Sequence, residues 1–238
     1  MLVPAMTNDE ISNELIKDYK KIEQVQMLQL VNTYCKHRKR FKIDRRATWP
    51  KEYMIQMPRS KNKWMVIFQK SPLVNKYSDA ENVVWTAVTW YYGPQGLRAF
   101  RPSQNYIEVF NAHLFNRYNE RLGLNLFHHA DIIKRFFLNS GRLLPDEITH
   151  NGKQYTMSLC KEGATLGNYH QAEPFPWLVN NTFITHDQMH KKQVEGKMEY
   201  FSNTLGKLSA LLNECDIKKV SEMQHYIGCL LTHLDIVA

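Results

Sequence analysis

The 238-residue sequence has no apolar run approaching the roughly 18 to 20 residues that a membrane-spanning helix needs. Its opening Met1 to Ala5 is followed by Asn8, Asp9 and Glu10 rather than by a hydrophobic leader, so a soluble chain without an export signal is expected. Cysteine is scarce. Cys35, Cys160, Cys215 and Cys229 show no CxxC spacing, which excludes a zinc ribbon or a dense disulfide framework. Three of the four fall on the apolar stripes of expected helices, so buried free thiols in a reduced, cytoplasmic setting are the reading. No glycine-rich phosphate loop or dinucleotide fingerprint occurs, hence no nucleotide cofactor is expected. There is no G-x-S-x-G elbow, no interpretable Cys and His pair and no internal repeat. What is present is a globular composition, 43% hydrophobic and 12% aromatic, which excludes a disordered or collagen-like chain.

The net charge is +8, from 31 Lys and Arg against 23 Asp and Glu. It is concentrated: residues 36–46 (KHRKRFKIDRR) hold seven Lys or Arg and one Asp, hence +6, leaving +2 for the other 227 residues. Phosphate binding depends on local charge density, so Arg38, Lys39, Arg40, Lys42, Arg45 and Arg46 are candidate nucleic-acid contacts, with Phe41 and Trp49 near enough to stack on bases. The competing reading is a solvated helix end, where cations are favourable against the macrodipole.

Thr7 and Glu10 form a capping-box signature. Ile11, Leu15, Tyr19, Ile22, Val25, Leu28, Val31 and Cys35 then recur at spacings of three or four, predicting a long helix over about 8–40. Segments 52–57 and 64–70 read as strands of a hairpin, and 84–92 and 97–101 as a second hairpin around Gly93 to Gly96, with 106–110 as one more strand. Tyr91 and Tyr92, adjacent on a strand, must point to opposite faces, making one of them a candidate exposed stacking residue. Two short helices follow at 112–122 and 128–139, then strands at 155–160, 165–170 and 179–185. From Gln188 the period is helical again, broken near Asp216, which predicts a C-terminal helical hairpin. The expected fold class is therefore α+β: a central antiparallel sheet with short helices over 48–185, flanked by a long N-terminal helix (1–47, with a basic end) and a C-terminal helical hairpin (186–238). The assembly expected is a monomer, or a homodimer joined through the terminal helices.

The helix over 112–122 carries the most suggestive chemistry. At 100° per residue His113, Asn116, Arg117, Glu120 and Arg121 share one side, while Leu114, Phe115, Tyr118 and Leu122 share the other. A histidine with two arginines is the group set that metal-free RNA cleavage requires: a proton shuttle and fixed positive charge for the transition state. The same set also describes an ordinary exposed helix face, with Glu120 pairing either arginine.

A histidine opening a helix of the form H-x-x-x-R-x-x-x-R, then a second short helix, then antiparallel strands, resembles the core of the RelE-like and barnase-like toxin nucleases. The resemblance covers residues 113–185. It implies a metal-independent RNase with His113 as general acid or base, Arg117 and Arg121 on phosphate, and His170 or Tyr155 as a second titrating group. RNA or DNA would be the partner, and no metal or other cofactor is implied.

A separate alternative is a zinc-dependent hydrolase. His186 and His190 stand at i and i+4 with Asp187 where HExxH motifs carry Glu, and His128 or His129 could add a third ligand. Thr185 with Gln188 reads there as a capping box, which places His186 in a first helical turn.

Overall fold

The computed structural model describes residues 1–27, 51–70, 83–94, 96–103, 106–140, 144–150 and 153–189. The chain divides into two compact units, Met1–Ala112 with Tyr169–Val179, and His113–Asn168 with Asn180–Ala238. The α+β class is the one found: strands and helices occur together in both. The helical hairpin expected over 186–238 lies outside the described residues beyond Met189.

In the first unit, helix α1 (Asn8–Lys21) begins where the capping box places it. The Thr7 N–H donates to Glu10 Oε2 at 2.8 Å and the Glu10 N–H to Thr7 Oγ1 at 3.3 Å. Regular α-helix gives way after Lys21. The Ile22 N–H is shared between the carbonyls of Asp18 and Tyr19, and Ile22–Met27 is π-helical. The remainder of the expected helix, with the basic segment, lies outside the described residues.

Five strands follow in a meander: β1 (Lys51–Gln56), β2 (Lys63–Lys70), β3 (Val83–Gly93), β4 (Gly96–Pro102) and β5 (Ile107–Asn111), each antiparallel to the next. Both expected hairpins are present. The second closes at Gly93 opposite Gly96, whose φ of 89° is a left-handed conformation that glycine adopts without a Cβ penalty. Alternation sets Trp64, Val66 and Phe68 of β2 on one face, with Ala87, Phe100, Ile107 and Val109. Ile11, Leu15 and Ile22 from the helical segment and Trp177 complete this core. The opposite face is also buried at Met65, Ile67, Val88, Leu97, Ala99 and Phe110. That explains why β2 reads WMVIF, a continuous apolar run rather than an alternating one.

One carboxylate ties α1 to the first hairpin. Asp18 is buried, and its Oδ2 accepts from the Ser60 hydroxyl at 2.6 Å, Asn62 Nδ2 at 2.8 Å and Trp64 Nε1 at 3.2 Å. Asn62 Oδ1 in turn accepts the Leu2 N–H at 2.7 Å. Higher on α1, the Ser12 hydroxyl accepts Trp177 Nε1 at 2.7 Å and donates to the Asn8 carbonyl at 2.9 Å.

The second unit contains α2 (Ala112–Arg121, from His113 onward), α3 (His129–Asn139), β6 (Leu144–His150), β7 (Lys153–Cys160), and the parts of β8 (Gly163–His170) and β9 (Trp177–Thr185) that belong to it. β6 pairs antiparallel with β7 and β7 with β8, and β9 lies next to β8. Strand β6 was not legible: LPDEITH has no alternation and contains Pro145, which is tolerated because β6 ends the strand order. Phe115, Tyr118, Phe136, Phe137 and Phe183 pack edge to face with centroids 5.0 to 5.7 Å apart. Met157, Leu159, Ala164 and Ile184 form a second, smaller cluster. No helix among the described residues is long and apolar enough to cross a membrane.

Candidate functional site

Helix α2 folds as its period predicts. Leu114, Phe115 and Tyr118 are buried, and His113, Asn116 and Glu120 are exposed. The two arginines of the motif are already engaged. Arg117 Nη1 pairs with Glu120 Oε2 at 2.7 Å, one turn along the helix, and Arg121 Nη1 donates to the backbone carbonyl of Phe183 on β9. His113 faces solvent at the head of the helix, and Arg117, though paired, keeps much of its side chain exposed.

Tyr155 is exposed on β7, on the face it shares with Met157 and Leu159. No hydrogen bond or ion pair among the described residues joins it to His113. His170 is exposed and belongs to the first unit, whereas His113, Arg117, Arg121 and Tyr155 belong to the second. Of the tyrosine pair on β3, Tyr92 is the exposed one at 59%, while Tyr91 stacks on Phe100 at 5.8 Å.

Sequence reasoning missed a densely bonded group of the second unit. Glu162 lies in the turn between β7 and β8, which reads as an ordinary polar hairpin. Its Oε2 accepts from Tyr118 Oη at 2.6 Å, Ser140 Oγ at 2.7 Å and Arg135 Nη1 at 3.3 Å, and its Oε1 from Arg135 Nη2 at 2.6 Å. Burial pulls its pKa upward, but the hydrogen bonds from Tyr118, Ser140 and Arg135 and the guanidinium charge outweigh that and hold the carboxyl below its ordinary range. Burial, then the bond to Glu162, pushes the Tyr118 phenol far up. Nearly all the carboxylate's lone-pair positions are filled, so the group is a strut joining α2, α3 and the turn rather than a base open to a substrate. Beside it the buried Cys160 thiol donates to the Gly163 carbonyl at 3.2 Å and is pushed up to about 12 by burial. The one available sequence signal was Arg135, a cation inside the apolar helix run IIKRFF.

No family model, curated protein or solved structure matches this chain. The site must therefore be judged on its own residues.

His186 of the candidate metal pair does not stand on an α-helix. His186–Gln188 is a single 3-10 turn that ends at Met189, whose φ of −70° and ψ of 130° are extended. The expected helical start at Gln188 is corrected accordingly, and His190 lies outside the described residues. Gln188 does reach back, its Oε1 accepting the Thr185 N–H at 3.4 Å. His186 Nε2 sits 3.1 Å from the Lys161 carbonyl oxygen. Among the described residues no three His, Cys, Asp or Glu side chains gather as a metal site.

The loop between α2 and α3 is built with unusual economy of polar groups. Asn119 Nδ2 donates to the Leu126 carbonyl and Asn119 Oδ1 accepts the Leu126 N–H, both at 3.0 Å, so one carboxamide replaces a backbone pair. Gly123 and Asn125 take positive φ of 59° and 53°. The loop so fixed leaves Phe127 exposed at 92%.

Proposed function

We propose that this is a nucleic-acid-associated protein that binds through the cationic segment 36–46. The observation that carries the reading is the charge distribution: +6 of the net +8 falls in eleven residues, with Phe41 inside the run and Trp49 just beyond it. Counterion release makes such a density effective on phosphate backbones in a way that a diffuse excess is not. A reduced, cytoplasmic setting belongs to the same reading. The test is binding of a labelled oligonucleotide at several salt concentrations by the natural chain and by a variant with Arg38, Lys39, Arg40, Arg45 and Arg46 changed to Gln. The variant is expected to lose affinity and to show a flatter salt dependence; equal affinity and equal slope would overturn the proposal.

The exposure of His113 at the head of α2 supports a sharper form, in which the protein is a metal-independent RNase of the RelE-like kind. His113 is then the general acid or base and Arg117 the nearest cation for phosphate. Arg121 would have to exchange its bond to the Phe183 carbonyl for the substrate. Cleavage of RNA in EDTA, abolished in His113→Ala with the fold intact, is the expected result. Cleavage at the same rate in that variant would leave the protein as a binding module, with the α2 face merely solvated.

A further inference from the structure

In the first unit, Arg98 on β4 differs from Arg101, which is paired with a carboxylate. It is half-buried, on the sheet face that carries Phe100 and, across the strand pair, Tyr91. Its Cζ lies 5.2 Å from the centroid of the Trp177 ring and 5.6 Å from that of Phe100. Those rings meet edge-on at 5.8 Å, and Trp177 is itself held by the Ser12 hydroxyl. The aromatic walls are therefore fixed before any ligand arrives.

Among the described residues the charge in this cage has no carboxylate partner. Arg101 pairs with Glu108, Arg117 with Glu120 and Arg135 with Glu162. Arg98 pairs with no carboxylate among the described residues, and its polar contact is Nη1 to Tyr91 Oη at 3.5 Å, too long to satisfy a donor. A guanidinium has five N–H donors, and taking it partly out of water without an acceptor is costly. The rings return part of that cost through cation–π attraction but offer no strong acceptor to the N–H donors. A planar fork held this way matches two oxygens of one oxyanion.

We propose that Arg98, clamped by Phe100 and Trp177, is the anchor of a phosphate-binding site in the first unit. The ligand class is a phosphate oxyanion. Under the nucleic-acid reading, on which this source rests, it is a backbone phosphodiester contacted in addition to segment 36–46; the alternative source is free phosphate.

The test uses the full chain, natural and Arg98→Lys, which keeps the charge but loses the planar fork. Inorganic phosphate is titrated against chloride at matched ionic strength while the Arg98 Nε–Hε NMR signal and the thermal midpoint are followed. Phosphate is expected to shift that signal saturably and to raise the midpoint of the natural chain, with the affinity reduced about ten-fold or more in Arg98→Lys. An unmoved Arg98 signal, or an equal phosphate response in both folded proteins, overturns the proposal; the signal in the natural chain decides even if the variant does not fold. A short oligouridylate in a second arm identifies the source. Weaker oligonucleotide binding by Arg98→Lys supports the phosphodiester, and unchanged oligonucleotide binding with a lost phosphate response supports free phosphate. Loss of oligonucleotide binding in the segment 36–46 variant, with the phosphate response kept, supports a site at Arg98 independent of that segment. A natural chain that binds no oligonucleotide but retains the phosphate response overturns the nucleic-acid reading and leaves the Arg98 site standing.

Discussion

The hydroxyl of Tyr118, on the buried face of α2, donates to Glu162 Oε2 at 2.6 Å and so fastens the helix that carries His113 to the turn between β7 and β8. Arg135 of α3 and Ser140 just after it complete the same carboxylate. Any role of the α2 face therefore depends on a group 44 residues away in sequence.

Glu162 should make the second unit acid-sensitive. Its folded-state pKa lies below the ordinary 4.5, so the stability it contributes is fully present above that value and is lost as pH falls through the lower folded value. Glu162→Gln keeps the size but removes the charge from Arg135. It is expected to cost about 2 kcal/mol at neutral pH and to flatten the pH dependence below about pH 4.5. Denaturant titrations at neutral pH and at pH 3 check both; a variant as acid-sensitive as the natural chain would place the sensitivity elsewhere.

Gly163, next to Glu162, is irreplaceable for a different reason. A Cβ there would lie 2.0 Å from the Ile184 carbonyl oxygen and 2.8 Å from Phe183 Cζ. The first obstacle is backbone, which cannot rotate away. Gly163→Ala is therefore expected to destabilise by about 3 kcal/mol or more, whereas Gly123→Ala, with open space around it, should cost only the strain of a positive φ. Comparing the two unfolding midpoints separates close approach from conformational freedom.

These groups show where sequence reading stops. Period and turn chemistry gave the start of α1, both early hairpins and the two faces of α2, because each is decided within about ten residues. Strand β6 escaped because its pattern is supplied by β7 and not by its own residues. Arg121 reads as outward on a helical wheel, yet its side chain is long enough to reach a carbonyl of β9. Tyr118, Arg135, Ser140 and Glu162 are each unremarkable in sequence, and only the fold converges them on one carboxylate. Asp18 stands on the apolar stripe of α1, three residues after Leu15 and four before Ile22, so the period places it on the buried face, but nothing local names the Ser60, Asn62 and Trp64 donors that satisfy it there.

Asp18 offers the corresponding test in the first unit. Replacing it by Ala leaves the Ser60, Asn62 and Trp64 donors without their shared acceptor in a buried place, expected to cost about 3 to 5 kcal/mol. Ser60→Ala removes one donor to the carboxylate and the acceptor of the Asn62 N–H but keeps the Asn62 and Trp64 side-chain bonds to Asp18, so about 1 to 2 kcal/mol is expected. Protection of the Trp64 indole N–H from hydrogen exchange is the direct readout. It should fall by orders of magnitude in Asp18→Ala and little in Ser60→Ala; similar protection in all three proteins would show that the carboxylate is dispensable.

Cys160 supplies a reporter for opening of the β7–β8 turn. Its thiol is fully buried and pushed up to about 12 by burial, so at pH 8 the reactive thiolate is roughly a ten-thousandth of the population even before access is considered. Alkylation of Cys160 by iodoacetamide, followed peptide by peptide in a mass spectrometer, should be negligible in the native protein and rapid in denaturant. Glu162→Gln and Gly163→Ala both loosen the turn around this sulfur, and labelling should accelerate in each roughly in proportion to its loss of stability, because modification then passes through the opened state. Fast native labelling that neither substitution alters would mean that the thiol reaches solvent without opening of the turn, and that the Glu162 network does not guard it.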